Sequence, residues 1–241
     1  SWYRRQRQMC IRDRFFSGSL VAIGFFIPAT QLLFWTLDYW KNVWDADFIN
    51  LLFNSFSLAA TSASVCALMA IFLAYSKREF KNKAAHTSAG IAGIGYAVPG
   101  TVIAIGVLIP AAWLDNRLDY LSILYLDMPI GLLFSGSMTI LVFAYLVRFL
   151  SISLNTMDSG LSAIKPGLDE SARSLGASKK NVLTKIHIPI LKTSVLTAFL
   201  LVFVEVMKEL PTTLILRPFN FNTLAVKTYE LASDERLLDA A

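Results

Sequence analysis

Apolar residues in this chain fall in long unbroken blocks with short charged segments between them. The runs 15–37, 48–76, 84–114 and 128–147 contain no Asp, Glu, Lys or Arg, and each reaches the roughly 20 residues that a helix needs to cross the hydrocarbon core. They predict spans at about 15–37, 48–76, 86–114 and 128–150. A fifth, about 193–216, stays apolar enough to insert although Glu205, Lys208 and Glu209 interrupt it. The period-two alternation of a membrane barrel is absent, so the pattern predicts an all-α polytopic membrane protein with about five transmembrane helices.

Composition agrees with that pattern. Of 241 residues, 55% are hydrophobic and 16% charged, and the mean hydropathy of +0.55 lies above that of soluble domains. The net charge of +5 becomes an orientation signal once it is mapped. Lys77, Arg78, Lys81 and Lys83 share one segment, and Lys165, Arg173, Lys179, Lys180, Lys185 and Lys192 another, whereas 38–47 and 115–127 are richer in aspartate. Basic loops stay on the cytoplasmic side. The N-terminus and both lysine segments are therefore expected inside, and the segments around Trp40 and Asp119 outside. Lipid is the implied surroundings and no nucleic acid is implied. Cys10 and Cys66 make no disulfide framework.

The two ends carry expectations of their own. In residues 1–14 the string QMCIRD resembles the translation of a transposon-end sequencing adapter and is set aside, as a tag would be. The alternative is a genuine basic linker. After YELASDERLLDAA the chain stops on the expected outer side, and a sixth span is expected beyond Ala241.

Within the blocks, small residues recur at packing distance, Ala89 and Gly90 with Gly93 and Gly131 with Ser135, where they would let backbones approach in lipid. Pro99 and Gly100, in GYAVPGT, fall in the third span, where the proline is expected to kink the helix, either as a purely structural bend or as a bend beside a pathway.

The longest polar segment, 151–192, is the one candidate module outside the bilayer. In KPGLDESARSLG a Pro-Gly turn precedes two acids, an arginine and a glycine, the order of a helix start, body and exit. Leu168, Ala172 and Leu175 form one narrow apolar stripe, and Asp169 and Arg173 stand at pairing distance. Two turns are too few for a stable isolated helix, so this one needs a partner surface. Ser178 caps a second helix, KKNVLTKIHI, and Pro189 marks a bend before the fifth span.

The spacing Glu-Ser-Ala, three residues, Gly176, nine residues, Ile-His-Ile-Pro is similar to the EAA loop of ABC transporter permeases, which runs Glu-Ala-Ala, three residues, Gly, nine residues, Ile, any residue, Leu-Pro. Glu170, Ala172, Gly176, Ile186 and Pro189 match, while Ser171 replaces an alanine and Ile188 a leucine. Three further stretches, GYAVPGTVIAIGVLIP, LVRFLSISLNTMDSGL and VMKELPTTLILRPFNFNTLAVKTYELASDERL, look like the C-terminal half of fused iron(III) permeases. The resemblance covers nearly all of 15–241.

It implies a MetI-like permease bundle in the bacterial inner membrane, the transmembrane subunit of an ATP-driven importer for ferric iron delivered by a periplasmic solute-binding protein. Related permeases for thiamine, sulfate, molybdate and polyamines share the loop. It also implies that 168–175 is a coupling helix docking on a cytoplasmic ABC ATPase dimer. Leu168, Asp169, Glu170, Ser171, Ala172, Gly176, Ile186 and Pro189 would then be the ATPase-coupling residues. A second permease half, fused or separate, completes the implied assembly. The chain has no GxxxxGK phosphate loop, so it is not expected to be an enzyme or to hold a cofactor, and ATP and magnesium belong to the partner ATPase.

Twelve residues separate Lys192 from Glu205, a rise of roughly 18 Å, which carries Glu205 past the midplane. By helical spacing Glu205, Lys208 and Glu209 share a face. Either Glu205 and Glu209 line the translocation path, where hard carboxylate oxygens would suit a trivalent cation, or Lys208 neutralises a glutamate and locks the bundle end. Two other classes stand as alternatives. An intramembrane enzyme would need more than His86 and His187, both read as solvated loop residues. An ion-driven carrier would need charges or broken helices in several spans.

Overall fold

The computed structural model describes residues 13–43, 46–79, 87 and 90–240. Residues 1–12 with most of QMCIRD, and also Lys81, Lys83, His86 and Ala89, lie outside these. Regular structure among the described residues is helical throughout. In chain order the helices are α1 (Ile27–Val43), α2 (Ala46–Glu79), α3 (Gly100–Leu126), α4 (Met138–Ser162), α5 (Pro166–Ser174), α6 (Lys179–Met207), α7 (Pro211–Leu216), α8 (Leu224–Ser233) and α9 (Leu237–Ala240). Five stretches among the described residues, Asp13–Asp38, Asp47–Glu79, Gly100–Leu126, Met138–Ser162 and Lys179–Met207, are long and apolar enough to cross a membrane.

The chain forms two compact units, residues 1–50 with 227–241 and residues 51–226. In the first, α9 packs on α1. In the second, α4 and α6 make the most extensive helix pair, and α3 packs against α4 and α7. Tyr145, Phe149, Leu58 and Val202 are fully buried at its centre. A row of small side chains on α2, Ala59, Ala63, Ala67, Ala70 and Ala74, is buried as well, the arrangement by which helices in lipid come close enough to gain dispersion energy. The expected small-residue contacts at Gly90 and Gly131 are absent, since a methyl group at either would meet nothing within 4 Å. Close approach occurs instead at Gly160, where a Cβ would sit 2.9 Å from Leu191 Cδ2.

Two π-helical turns, Ala22–Phe26 before α1 and Leu183–His187 within α6, each end two residues ahead of a proline, Pro28 and Pro189. A proline donates no N–H to the carbonyl four residues back. A turn with i→i−5 bonding lets the following N–H serve that carbonyl, so each bulge answers its proline.

α3 and α4 begin and end further along the chain than hydropathy alone places them. Pro99 does not kink a span; it is the N-cap residue of α3, after a 3-10 turn at Gly95–Ala97. α3 then continues past Leu114 because its aspartates turn inward. Asp115, fully buried, accepts backbone N–H bonds from Leu133, Phe134 and Ser135 at 3.1, 2.9 and 2.7 Å, and Asp119 accepts from Ile130 and Gly131 at 2.9 and 2.8 Å. These bonds satisfy the loop backbone and defer α4 to Met138. At its other end α4 runs to Ser162, burying Leu154, Met157 and Leu161, so the loop expected at 151–192 narrows to α5 and its flanks.

Candidate functional site

Two polar clusters interrupt the apolar bundle of residues 51–226. The first gathers where α2, α4, α5 and α6 meet. α2 has 34 residues and so a length of about 50 Å, more than a bilayer core of about 30 Å, and its surplus last turns carry Tyr75, Lys77, Arg78 and Glu79 to α5.

α5 starts with Pro166 in its first turn, has Asp169 near its positive end and closes on Gly176. Gly176 has φ +84; its N–H donates to the Arg173 carbonyl at 2.9 Å and the Ala177 N–H to the Ala172 carbonyl at 3.0 Å, the two bonds of a Schellman closure. Ser178 caps the next helix as expected, accepting from the Asn181 N–H at 3.3 Å.

The charge pairing is not the local one expected. Asp169 does not pair with Arg173. Its Oδ2 accepts from Arg78 Nε at 2.9 Å and its Oδ1 from His187 Nε2 at 2.7 Å, while Arg173 reaches Glu79 at 2.5 Å, because tertiary partners on α2 and α6 lie within reach of both. Lys179 also binds Glu79, at 2.9 Å, and Lys77 binds Asp158 at 2.6 Å. Burial pushes the Asp169 carboxyl up, but the bonds from His187 and Arg78 outweigh it and hold the carboxyl below its ordinary range. His187 is 1% exposed, packed edge-to-face on Tyr75 with ring centroids 5.6 Å apart. It is a buried residue rather than the solvated one expected from its lysine neighbours. An open cavity of about 760 Å³, lined in part by Lys77, Asp158, Asp169, Glu170 and Arg173, lies under α5.

Of the other motif positions, Glu170 and Ser171 are exposed, and the Ser171 hydroxyl donates to the Gly167 carbonyl at 2.8 Å. Ala172 and Ile186 are half-buried, Ile186 within the π turn, and Pro189 is exposed just beyond it. The apolar stripe is unfilled. Leu168 is 42% and Leu175 89% exposed.

The second cluster lies where α6 stops. The fifth span is not continuous to Leu216: α6 ends at Met207 and α7 begins at Pro211, since a proline cannot extend the helix before it. The break divides the three expected pathway residues. Lys208 pairs with Glu205 at 2.8 Å, while Glu209, 7% exposed, turns inward. Its Oε2 lies 3.5 Å from Arg148 Nε, and its Oε1 accepts from the Thr212 hydroxyl at 2.7 Å. Thr213 donates to the Glu209 carbonyl at 2.6 Å and stands 2.5 Å from the Tyr145 hydroxyl. Gly100 closes the site: a Cβ there would lie 2.6 Å from Glu209 Oε1 and 2.7 Å from both Arg148 Nη1 and Thr212 Oγ1. Arg148 is ten residues into α4, about 15 Å from its start. Among the described residues no group of three or more His, Cys, Asp or Glu is placed to hold a metal ion.

Sequence reasoning did not single out Arg148 or Thr212, took Gly100 only as part of a bend, and assigned Arg78 no role beyond loop charge. A charge next to an apolar run was the available signal for Arg148.

Both clusters fall inside residues 66–228, which match the family of binding-protein-dependent transport system inner membrane components. The chain belongs to that family. With the five apolar stretches, that makes it a multi-pass membrane component of the transport-permease type. The "Fe(3+)-transport system permease protein FbpB 2" of Haemophilus influenzae is 24% identical over 230 residues, with 94% of this chain and 42% of the relative covered. This chain therefore spans less than half the length of that relative. The "Putative 2-aminoethylphosphonate transport system permease protein PhnV" of Salmonella typhimurium is 22% identical, with 92% and 83% covered. Among solved structures, a bacterial alginate ABC transporter in complex with an alginate pentasaccharide-bound periplasmic protein matches with a TM-score of 0.79 at 15% identity, over 99% of this chain and 88% of that one. That likeness supports the MetI-like bundle as a fold.

Proposed function

We propose that this permease is the transmembrane subunit of an ATP-driven importer for ferric iron handed over by a periplasmic binding protein. On this reading α5, with Glu170, Ser171 and Ala172, faces the cytoplasm and docks on an ABC ATPase dimer that carries ATP and magnesium, and a second permease half completes the pathway. The observation that carries it is α5 itself, a two-turn helix anchored on one side by charge pairs while Leu168 and Leu175 lie bare on the other. Exposed apolar groups on a rim of charge suit a protein partner. The leaning to iron rests on the Haemophilus relative. The phosphonate relative favours a second reading, an organophosphonate solute.

Glu205 and Glu209 contribute to the path on this reading only when the Lys208 and Arg148 pairs open, because each carboxylate is neutralised in this state. Uptake of labelled ferric iron and of labelled 2-aminoethylphosphonate by cells expressing the full operon tests solute choice. Co-purification of an ATPase with the tagged chain tests docking. Gly176→Pro is expected to abolish uptake with normal membrane insertion; retained uptake would remove α5 from the coupling route.

A further inference from the structure

We infer that Arg78, which lies outside the loop motif, is the positioning residue that makes α5 and the bundle move as one body. This rests on α5 being the helix that the ATPase grips. A two-turn helix held by a single contact would swivel under load and dissipate the stroke. Arg78 prevents this with the whole of its guanidinium. Nη1 donates to the Leu161 carbonyl in the last turn of α4 at 2.5 Å and Nη2 to the Ile164 carbonyl just beyond that helix at 3.0 Å. Nε donates to Asp169 on α5 at 2.9 Å. One side chain on α2 therefore joins three helices.

Asp169 extends the linkage. With Oδ2 on Arg78, its Oδ1 holds His187 at the π turn of α6 at 2.7 Å. The side chains of Arg78, Asp169 and His187 are 19%, 16% and 1% exposed, so water competes weakly for these bonds. The neighbouring Arg173–Glu79 pair adds a second tether, but its arginine is 46% exposed and screened accordingly. A planar fork with five donors can serve three acceptors in fixed directions, whereas a lysine ammonium cannot. The inference is thus specific to arginine.

The experiment uses the full chain with spin labels at Leu175, the C-cap residue of α5, and Phe72 on α2, both exposed. Distances are read by pulsed electron resonance in nanodiscs, first for the chain alone and then for the assembled transporter with and without ATP plus vanadate. The unsubstituted chain is expected to give one narrow distance that nucleotide leaves unchanged. Arg78→Lys and Arg78→Gln should broaden it at least twofold. In the assembled transporter both variants should keep ATP hydrolysis within about twofold while solute moved per ATP, read with labelled ferric iron and 2-aminoethylphosphonate, falls at least tenfold. Asp169→Asn should give an intermediate result.

A narrow distance in Arg78→Gln, or transport and hydrolysis falling in equal proportion, would overturn the inference. Failure of any ATPase to assemble would instead count against the proposed function, and the chain-alone distances would still decide on Arg78. Normal membrane insertion of Arg78→Lys guards against simple misfolding.

Discussion

Arg148 on α4 and Glu209 in the break between α6 and α7 lie 3.5 Å apart, with side chains 17% and 8% exposed. Both charges are largely withdrawn from solvent. Removing one partner of a buried pair leaves the other uncompensated and costs about 3–5 kcal/mol, whereas replacing both with apolar or neutral groups costs far less. Glu209→Gln keeps an acceptor for Thr212 but strands Arg148. It is expected to lower the melting temperature in detergent markedly, and Arg148→Met combined with Glu209→Gln to recover most of the loss. Equal loss in the single and double variants would show that the pair is not a unit.

Gly100 is held to its size by the same site. A methyl group there lies 2.6–2.7 Å from Glu209, Arg148 and Thr212, inside van der Waals contact on three sides. Overpacking of this kind costs about 1–3 kcal/mol. Gly100→Ala should destabilise the chain by that amount. Because it acts by displacing Glu209, its effect should be strongly non-additive with Glu209→Gln, which a double-mutant cycle on thermal unfolding in detergent measures.

Gly176 is required for a different reason. Open space surrounds it, yet its φ of +84 closes α5. An L-residue in the left-handed region costs about 1–2 kcal/mol, least for asparagine. Gly176→Asn is expected to keep most of the uptake and Gly176→Ala to lose several-fold, while Gly176→Pro loses all. A flat series would mean that the loop tolerates an open α5.

Much of this was legible in the chain. Helical class, five apolar stretches, a short helix ahead of Gly176, the Gly176 exit and the Ser178 cap all follow from local chemistry: hydropathy, capping and backbone freedom, although the Pro-Gly pair read as a turn before that helix lies inside its first turn. What failed depends on partners distant in sequence. Asp169 and Arg173 have the spacing of a helix pair, but spacing cannot reveal that Arg78 and Glu79, some ninety residues earlier, offer better-buried partners. His187 looks solvated beside lysines until α6 turns it toward Tyr75. The α3 and α4 boundaries moved because Asp115 satisfies a loop backbone that hydropathy assigned to a helix. The expected common face of Glu205 and Glu209 presumed an unbroken helix through Pro211.

The Asp169 clamp also carries a pH signature. Its carboxyl titrates below the ordinary aspartate range, as the bonds from His187 and Arg78 exceed the opposing effect of burial. A carboxyl whose pKa is lower folded than unfolded contributes stability that is fully present above its unfolded value, about 3.9, and that fades as pH falls through the folded one. The clamp should therefore hold unchanged from pH 8 to about 5 and release below about 4. A nitroxide at Leu175 should report this as a rise in mobility confined to the acid side. Asp169→Asn cannot lose a charge, and its label should be mobile already at pH 7 with little further change. The two proteins differ at this one carboxyl, so the difference between the two curves isolates Asp169. An unsubstituted chain whose label loosens on the alkaline side instead would show that another group holds α5.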